Sequence, residues 1–105
     1  MPEDFVKAAE IGDLAPGETK LVRIEDEYFT LVNSDGTYHA LDAECSHAFA
    51  LMSYGQLHGD ELMCPLHGAM FDVKTGDALS APATKPLTVY PVKIEGNDIL
   101  IGPPD

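Results

Sequence analysis

Two short motifs constrain the fold of this chain more than anything else in it: Cys45-x-His47 and, after sixteen intervening residues, Cys64-Pro65-x-His67-Gly68. Each sits in turn-forming sequence, where backbone curvature can aim two side chains at one point. The fold must therefore bring two loops, distant along the chain, to a common centre. Cys45 and Cys64 are the two cysteines of the sequence, and in a reducing compartment a disulfide between them would not persist. A histidine close behind each is better explained by a metal than by a covalent staple. Ligand softness alone admits zinc or an iron-sulfur centre. Zinc modules with this ligand set usually take both cysteines from one turn and both histidines from another, whereas here each loop supplies one of each. A centre with two irons accommodates that arrangement, one iron taking both thiolates and the other both imidazoles. A Cys-His catalytic dyad would leave the second pair unexplained.

The rest of the sequence is compatible with a small β domain around such a centre. At 105 residues a single domain is expected, burying about 60 to 68 per cent of its unfolded surface. Nine glycines and eight prolines punctuate short apolar runs, the pattern of a turn-rich β fold. Phe5 to Ala9 and Thr19 to Ile24 read as strands on either side of the turn Asp13-Leu14-Ala15-Pro16-Gly17-Glu18. Glu27 to Val32 and Thr37 to Leu41 flank Asn33-Ser34-Asp35-Gly36, a hairpin by composition. Glu61 to Cys64 and Ala69 to Val73 enclose the second motif, which places it on a hairpin tip, and Lys74-Thr75-Gly76-Asp77 is a further turn. Leu87 to Glu95 reads as one strand, with Pro91 at an unpaired edge or a bulge, followed by Gly96-Asn97-Asp98 and the strand Ile99 to Ile101. Ser80 to Pro86 is a loop.

Eighteen acidic against six basic residues give a formal charge of -12. Phosphate backbones and anionic lipid surfaces are repelled by such a chain, so neither nucleic acid nor membrane is expected as a partner. The start, Met1-Pro2-Glu3-Asp4, lacks the features of a secretory signal, and no segment reaches the length of a membrane span. A cytoplasmic monomer is the expectation.

The sequence resembles the Rieske ferredoxins, the 2Fe-2S electron carriers of bacterial ring-hydroxylating oxygenase systems, along nearly its whole length. Gly55-x-Leu57-x-Gly59-Asp60 leads into Leu62-x-Cys64-Pro65-x-His67-Gly68, then Phe71-Asp72 and Thr75-Gly76. Asp13-Leu14-x-Pro16-Gly17-Glu18, Pro82, Pro86, Tyr90 and Pro91 also match family positions. The resemblance implies an all-β Rieske fold of three small antiparallel sheets, a single domain over residues 1–105 with a cluster-binding subdomain at about residues 43–84 at one tip. It implies one Rieske-type 2Fe-2S cluster, with Cys45 and Cys64 on the buried iron and His47 and His67 on the outer one. Gly68 would let backbone approach the cluster and Pro82 would lie in a covering loop. The implied role is electron transfer, not catalysis: one electron passes from an NAD(P)H-dependent flavin reductase to a terminal oxygenase, in the breakdown of aromatic hydrocarbons. The alternative within the same fold is the small subunit of an assimilatory nitrite reductase.

Family members in quinol-oxidising complexes add a cysteine to each ligand loop and donate serine and tyrosine hydroxyls to sulfur. Here Ala50 and Leu66 stand for the cysteines and Ala69 and Phe71 for the hydroxyls. Hydrogen bonds to sulfur stabilise the reduced state, so their loss points to the lower end of the Rieske range, roughly -150 mV. Other features read as ordinary. His39 lies mid-strand and His58 in a turn; Met52, Met63 and Met70 are adaptable filler; Phe49, Leu51 and Leu66 shield the cluster or form an apolar docking tip. Glu25-Asp26-Glu27 is a solvated acidic turn.

Overall fold

The computed structural model describes residues 5–44, 51–65, 68–79 and 85–103. Its strands are β1 (Val6–Glu10), β2 (Thr19–Ile24), β3 (Glu27–Ser34), β4 (Thr37–Asp42), β5 (Gln56–His58), β6 (Glu61–Met63), β7 (Met70–Asp72), β8 (Val89–Tyr90), β9 (Val92–Glu95) and β10 (Asp98–Ile101). They form three antiparallel sheets, ordered β1-β10-β9, β2-β3-β4-β8 and β5-β6-β7. The expected all-β architecture of three small sheets is what the chain adopts. Among the described residues no helix is long and apolar enough to cross a membrane.

Alternation along the central strands explains how the sheets stack. Successive side chains of a strand point to opposite faces, and β3 is buried on both. Phe29 and Leu31 of β3, with Ala40 of β4, join Ala9, Ile99 and Ile101 of the first sheet in one apolar cluster. Val32 and Leu41 join Leu62, Phe71 and Cys64 of the β5-β6-β7 region in another. The four-stranded sheet is thus a partition with a core on each side. A fully buried side chain of this size contributes about 1.5 to 3 kcal/mol, so both joints are held mainly by apolar burial.

Turn chemistry sets the registers. The expected turn at Asn33-Ser34-Asp35-Gly36 narrows to Asp35-Gly36, with φ of 52° and 92°. Positive φ at both central residues matches the twist of the flanking strands. β3 runs on through Ser34, and the buried Asn33 side chain is satisfied on both sides: its Nδ2 donates to the Leu14 carbonyl at 2.8 Å and its Oδ1 accepts the Gly36 N–H at 2.8 Å. The other departure is at Pro91. Instead of one strand over Leu87 to Glu95, β8 pairs with β4 and β9 with β10, so the chain changes sheets at Pro91. Proline has no N–H to give a ladder, while its carbonyl accepts the Gly102 N–H at 2.9 Å. The short β5, unexpected from sequence, places His58 at a strand end rather than in a turn.

Candidate metal centre

Cys64 follows directly on β6, at the base of the tight connection to β7. Its N–H donates to the Ala69 carbonyl at 2.7 Å, and its carbonyl accepts the Gly68 N–H at 3.1 Å. Gly68 has φ +74, and among the described residues a Cβ there would meet nothing nearer than the Met63 Sδ at 4.0 Å. Its positive φ is by itself a sufficient reason for glycine at this place. Cys64 is a free cysteine and is 1% exposed. Its neighbours are apolar: Met52, Leu62, Ala69, Phe71 and Leu87 belong to the same cluster.

Cys45, His47 and His67 lie outside the described residues, as do Phe49, Ala50, Leu66 and Pro82. What the structure gives is how the chain enters and leaves these segments. The 45–50 segment is closed at its base by an antiparallel bridge between Glu44 and Leu51, and the Met52 N–H donates to the Ala43 carbonyl at 2.8 Å. Residues 66–67 fall, in sequence, between β6 and β7. The 80–84 segment starts after Leu79, whose N–H donates to the Met70 carbonyl at 2.7 Å; beyond it the Leu87 N–H donates to the Gly76 carbonyl at 2.7 Å. Met52, Cys64, Ala69 and Leu87, flanking the three segments, share one core. The two motifs are therefore carried by neighbouring supports although they belong to different sheets.

The donor chemistry suits an iron-sulfur cluster. Cys64 offers a soft sulfur in apolar, water-excluded surroundings, the ligand type that iron-sulfur clusters take. Ala69 and Phe71 are both fully buried beside it, so no hydroxyl from either position reaches sulfur. Of the three methionines near the cysteines, Met52 is fully buried core filler, whereas Met63 and Met70 face each other across β6 and β7 and are half-buried.

The two remaining histidines stand apart from this pocket. His58 is exposed, opposite Glu61 on the neighbouring strand. His39 is half-buried in β4, in a polar recess of about 320 Å³ with Ser34, Asp35, Thr37, Asp60 and Lys74. Burial lowers its imidazole pKa, partly opposed by the Asp60 charge. In the same recess the Asp60 carboxyl is held below its ordinary value, first by the Ser34 hydroxyl and then by Lys74. Sequence reasoning gave this group no role, since Ser34 and Asp60 are 26 residues apart and neither type is diagnostic.

Comparison with known proteins agrees with this geometry. Residues 4–91 match the Rieske [2Fe-2S] domain model. The chain is 41% identical over 101 residues to the ferredoxin component of the naphthalene 1,2-dioxygenase system of Pseudomonas aeruginosa, covering 96% of this chain and 97% of that protein. It is 44% identical over 102 residues to the 3-phenylpropionate/cinnamic acid dioxygenase ferredoxin subunit of Escherichia coli K12, covering 95% and 94%. Among solved structures, a chain from the complex of reduced oxygenase and oxidized ferredoxin in carbazole 1,9a-dioxygenase superposes with a TM-score of 0.89 at 29% identity, covering 96% of this chain and 94% of that one. A protein named as a nitrite reductase small subunit shares the fold at lower structural similarity. The chain belongs to the Rieske [2Fe-2S] domain family, whose cofactor is a Rieske-type 2Fe-2S cluster.

Proposed function

We propose that this protein is the ferredoxin component of a ring-hydroxylating oxygenase system, carrying one electron from a flavin reductase to a terminal oxygenase. The observation that carries the reading is similarity over almost the entire length to two dioxygenase ferredoxins, joined to a core that supports both Cys/His motifs. When bound, the cluster supplies reversible one-electron uptake at a potential raised by its histidine ligands. In this reading Cys45 and Cys64 hold the inner iron and His47 and His67 the outer one, within a single Rieske domain over residues 1–105 and a cluster-binding subdomain at about residues 43–84.

The chain's own residues serve that role in three ways. Met52, Leu62, Phe71 and Leu87 exclude water around the Cys64 sulfur, which favours a less charged centre. The antiparallel frames at Glu44–Leu51 and Cys64–Ala69 hold the approaches to both motifs. The acidic surface repels nucleic acid and anionic membrane and attracts partners with basic docking faces. We take the protein to be cytoplasmic and monomeric, a carrier rather than a catalyst, with an NAD(P)H-dependent flavin reductase as donor. The nitrite reductase reading is favoured by neither of the dioxygenase relatives.

Anaerobically purified protein should contain two irons and two acid-labile sulfides and give a Rieske-type paramagnetic signal when reduced. It should support product formation by a ring-hydroxylating oxygenase supplied with NADH and a flavin reductase. A colourless protein containing zinc alone would refute the reading, and stimulation of a nitrite reductase without any oxygenase support would transfer it to the alternative.

A further inference from the structure

The two ligand loops hang from different sheets. The 45–50 segment leaves β4 of the four-stranded sheet, whereas Cys64 and the 66–67 segment belong to the β6–β7 hairpin of the three-stranded one. Assembly of one cluster requires these supports to meet at a fixed angle. The apolar core between them attracts without direction and holds the sheets together. Directional contacts add to what fixes the angle.

A polar latch at the far end of the hairpin provides them. Asp60 lies in the turn between β5 and β6; its Oδ1 takes the hydroxyl of Ser34, the last residue of β3. The same hydroxyl lies 3.0 Å from the Gly59 carbonyl, and Ser34 is only 6% exposed. The other carboxylate oxygen of Asp60 lies 2.9 Å from the Lys74 Nζ, just beyond β7. The Asp60 carbonyl accepts the Val73 N–H at 2.9 Å, and Asp72 Oδ1 accepts the Lys74 N–H at 2.8 Å. One carboxylate thus ties both base ends of the ligand hairpin to each other and to the tip of the β3–β4 hairpin.

We propose that Asp60, through Ser34 and Lys74, is a positioning residue that sets the angle at which the second ligand loop meets the first. The proposal rests on the ligand set and electron-carrier reading given above. Asp60 is four residues before Cys64, about 13 Å along an extended strand, so it acts through β6 and does not touch the metal. A rotation of about 5° about that anchor moves the sulfur by about 1 Å, several times the ~0.2 Å latitude of metal-ligand distances.

The test compares holoproteins: wild type, Asp60→Ala, Asp60→Asn, Ser34→Ala, the Asp60→Ala/Ser34→Ala pair, and Ile99→Val as a control in the other core. Thermal midpoint, rate of iron release to a chelator and line width of the reduced paramagnetic signal are measured for each. Asp60→Ala should release iron several-fold faster than the control at equal loss of midpoint and should broaden the signal, because the ligand angle is no longer single. Asp60→Asn keeps an acceptor for Ser34 and should fall between Asp60→Ala and wild type. The double variant should be little worse than Asp60→Ala. If Asp60→Ala does not fold, Asp60→Asn and Ser34→Ala carry the same comparison. An unbroadened signal, iron release that follows the midpoint alone as in the control, or additive effects of the two alanines would each overturn the proposal. A wild-type protein with no cluster at all would instead overturn the electron-carrier reading.

Discussion

Gly76 packs against Leu87, a member of the core around Cys64, and replacing it with alanine gives a quantitative check of the packing there. Gly76 is buried and holds φ at +81, and a Cβ would fall 2.1 Å from the Leu87 carbonyl oxygen and 3.0 Å from a Val89 methyl. An L side chain in the left-handed region costs about 1 to 2 kcal/mol. The Leu87 carbonyl is backbone and cannot swing aside, so Leu87 must move, at about 1 to 3 kcal/mol for overpacking. The 2.7 Å bond from the Leu87 N–H to the Gly76 carbonyl is strained or lost as well, about 1 kcal/mol. Together Gly76→Ala should destabilise by about 3 to 6 kcal/mol, a large part of the roughly 5 to 15 kcal/mol that holds a domain folded.

Gly17 supplies the comparison, because it has φ +87 but, among the described residues, nothing within 4 Å of where a Cβ would stand. Gly17→Ala should cost only the conformational strain of about 1 to 2 kcal/mol. At about 4 to 8 °C per kcal/mol for a domain of this size, Gly76→Ala should melt at least about 8 °C below Gly17→Ala, or fail to fold. Circular dichroism melts of both variants decide the matter, with cluster absorbance followed in parallel. Since Leu87 packs in the same cluster as Cys64, colour should also be lost more readily in Gly76→Ala. Melting of the two variants within about 3 °C of each other would show that the close approach of Gly76 to Leu87 is not what this position depends on.

Replacing His47 or His67 by alanine should abolish the cluster, whereas His39→Ala and His58→Ala should keep the colour; colour loss in the latter pair would contradict the ligand assignment. Phe71→Tyr, alone or with Ala69→Ser, should raise the reduction potential by offering hydroxyls to sulfur, and voltammetry showing no rise would mean these positions do not reach it. Burial lowers the His39 pKa, so its contribution to stability is present above the unfolded value of about 6.5 and lost as pH falls below it; His39→Gln should flatten the thermal midpoint between pH 7 and 5.5. Electron exchange with a reductase or oxygenase should slow as salt rises, because the -12 charge is screened beyond about 8 Å near physiological ionic strength, and a salt-independent rate would favour apolar docking instead.

Local chemistry was legible where one short stretch decides the outcome. Asn33-Ser34-Asp35-Gly36 announces a hairpin, and the pairing of one cysteine with one histidine in each loop a two-iron centre. Features decided by distant partners were not. Leu87 to Glu95 is uniformly prone to form strand, and nothing local says that its halves serve different sheets. The division is fixed by Asp42, whose carboxylate accepts the Tyr90 hydroxyl at 2.8 Å and the Thr88 N–H at 2.9 Å, and by Phe29, whose ring meets that of Tyr90 edge-on at 4.8 Å. On the far side of Pro91, Ile94 pairs with Ile99 instead. β5 was hidden because it has three residues and one apolar side chain, too few to show a period. The Asp60 latch was hidden because its partners, Ser34 and Lys74, come from a distant strand end and from another turn.

Charge and redox chemistry are separated in this fold by distance. Of the six cations, Lys7, Arg23, Lys74 and Lys93 are each paired with nearby carboxylates, leaving the acidic excess largely uncompensated. Exposed pairs of this kind contribute little to stability; their consequence is for the field around the molecule. Glu25 and Asp26 form the turn after one end of β2, whereas Thr19, at its other end, donates its hydroxyl to the Ser53 carbonyl beside the first ligand loop. Six residues of strand separate those ends, about 20 Å, more than twice the screening length of about 8 Å. Charge on that turn acts on the approach of a partner and scarcely on the energy of an added electron. On the proposed ligand set, the potential is set instead within the apolar core, where Cys64, Ala69 and Phe71 are buried together and neither position 69 nor 71 carries a hydroxyl. The acidic turn at Glu25 and Asp26 can therefore be adapted to different partners without retuning the electron delivered.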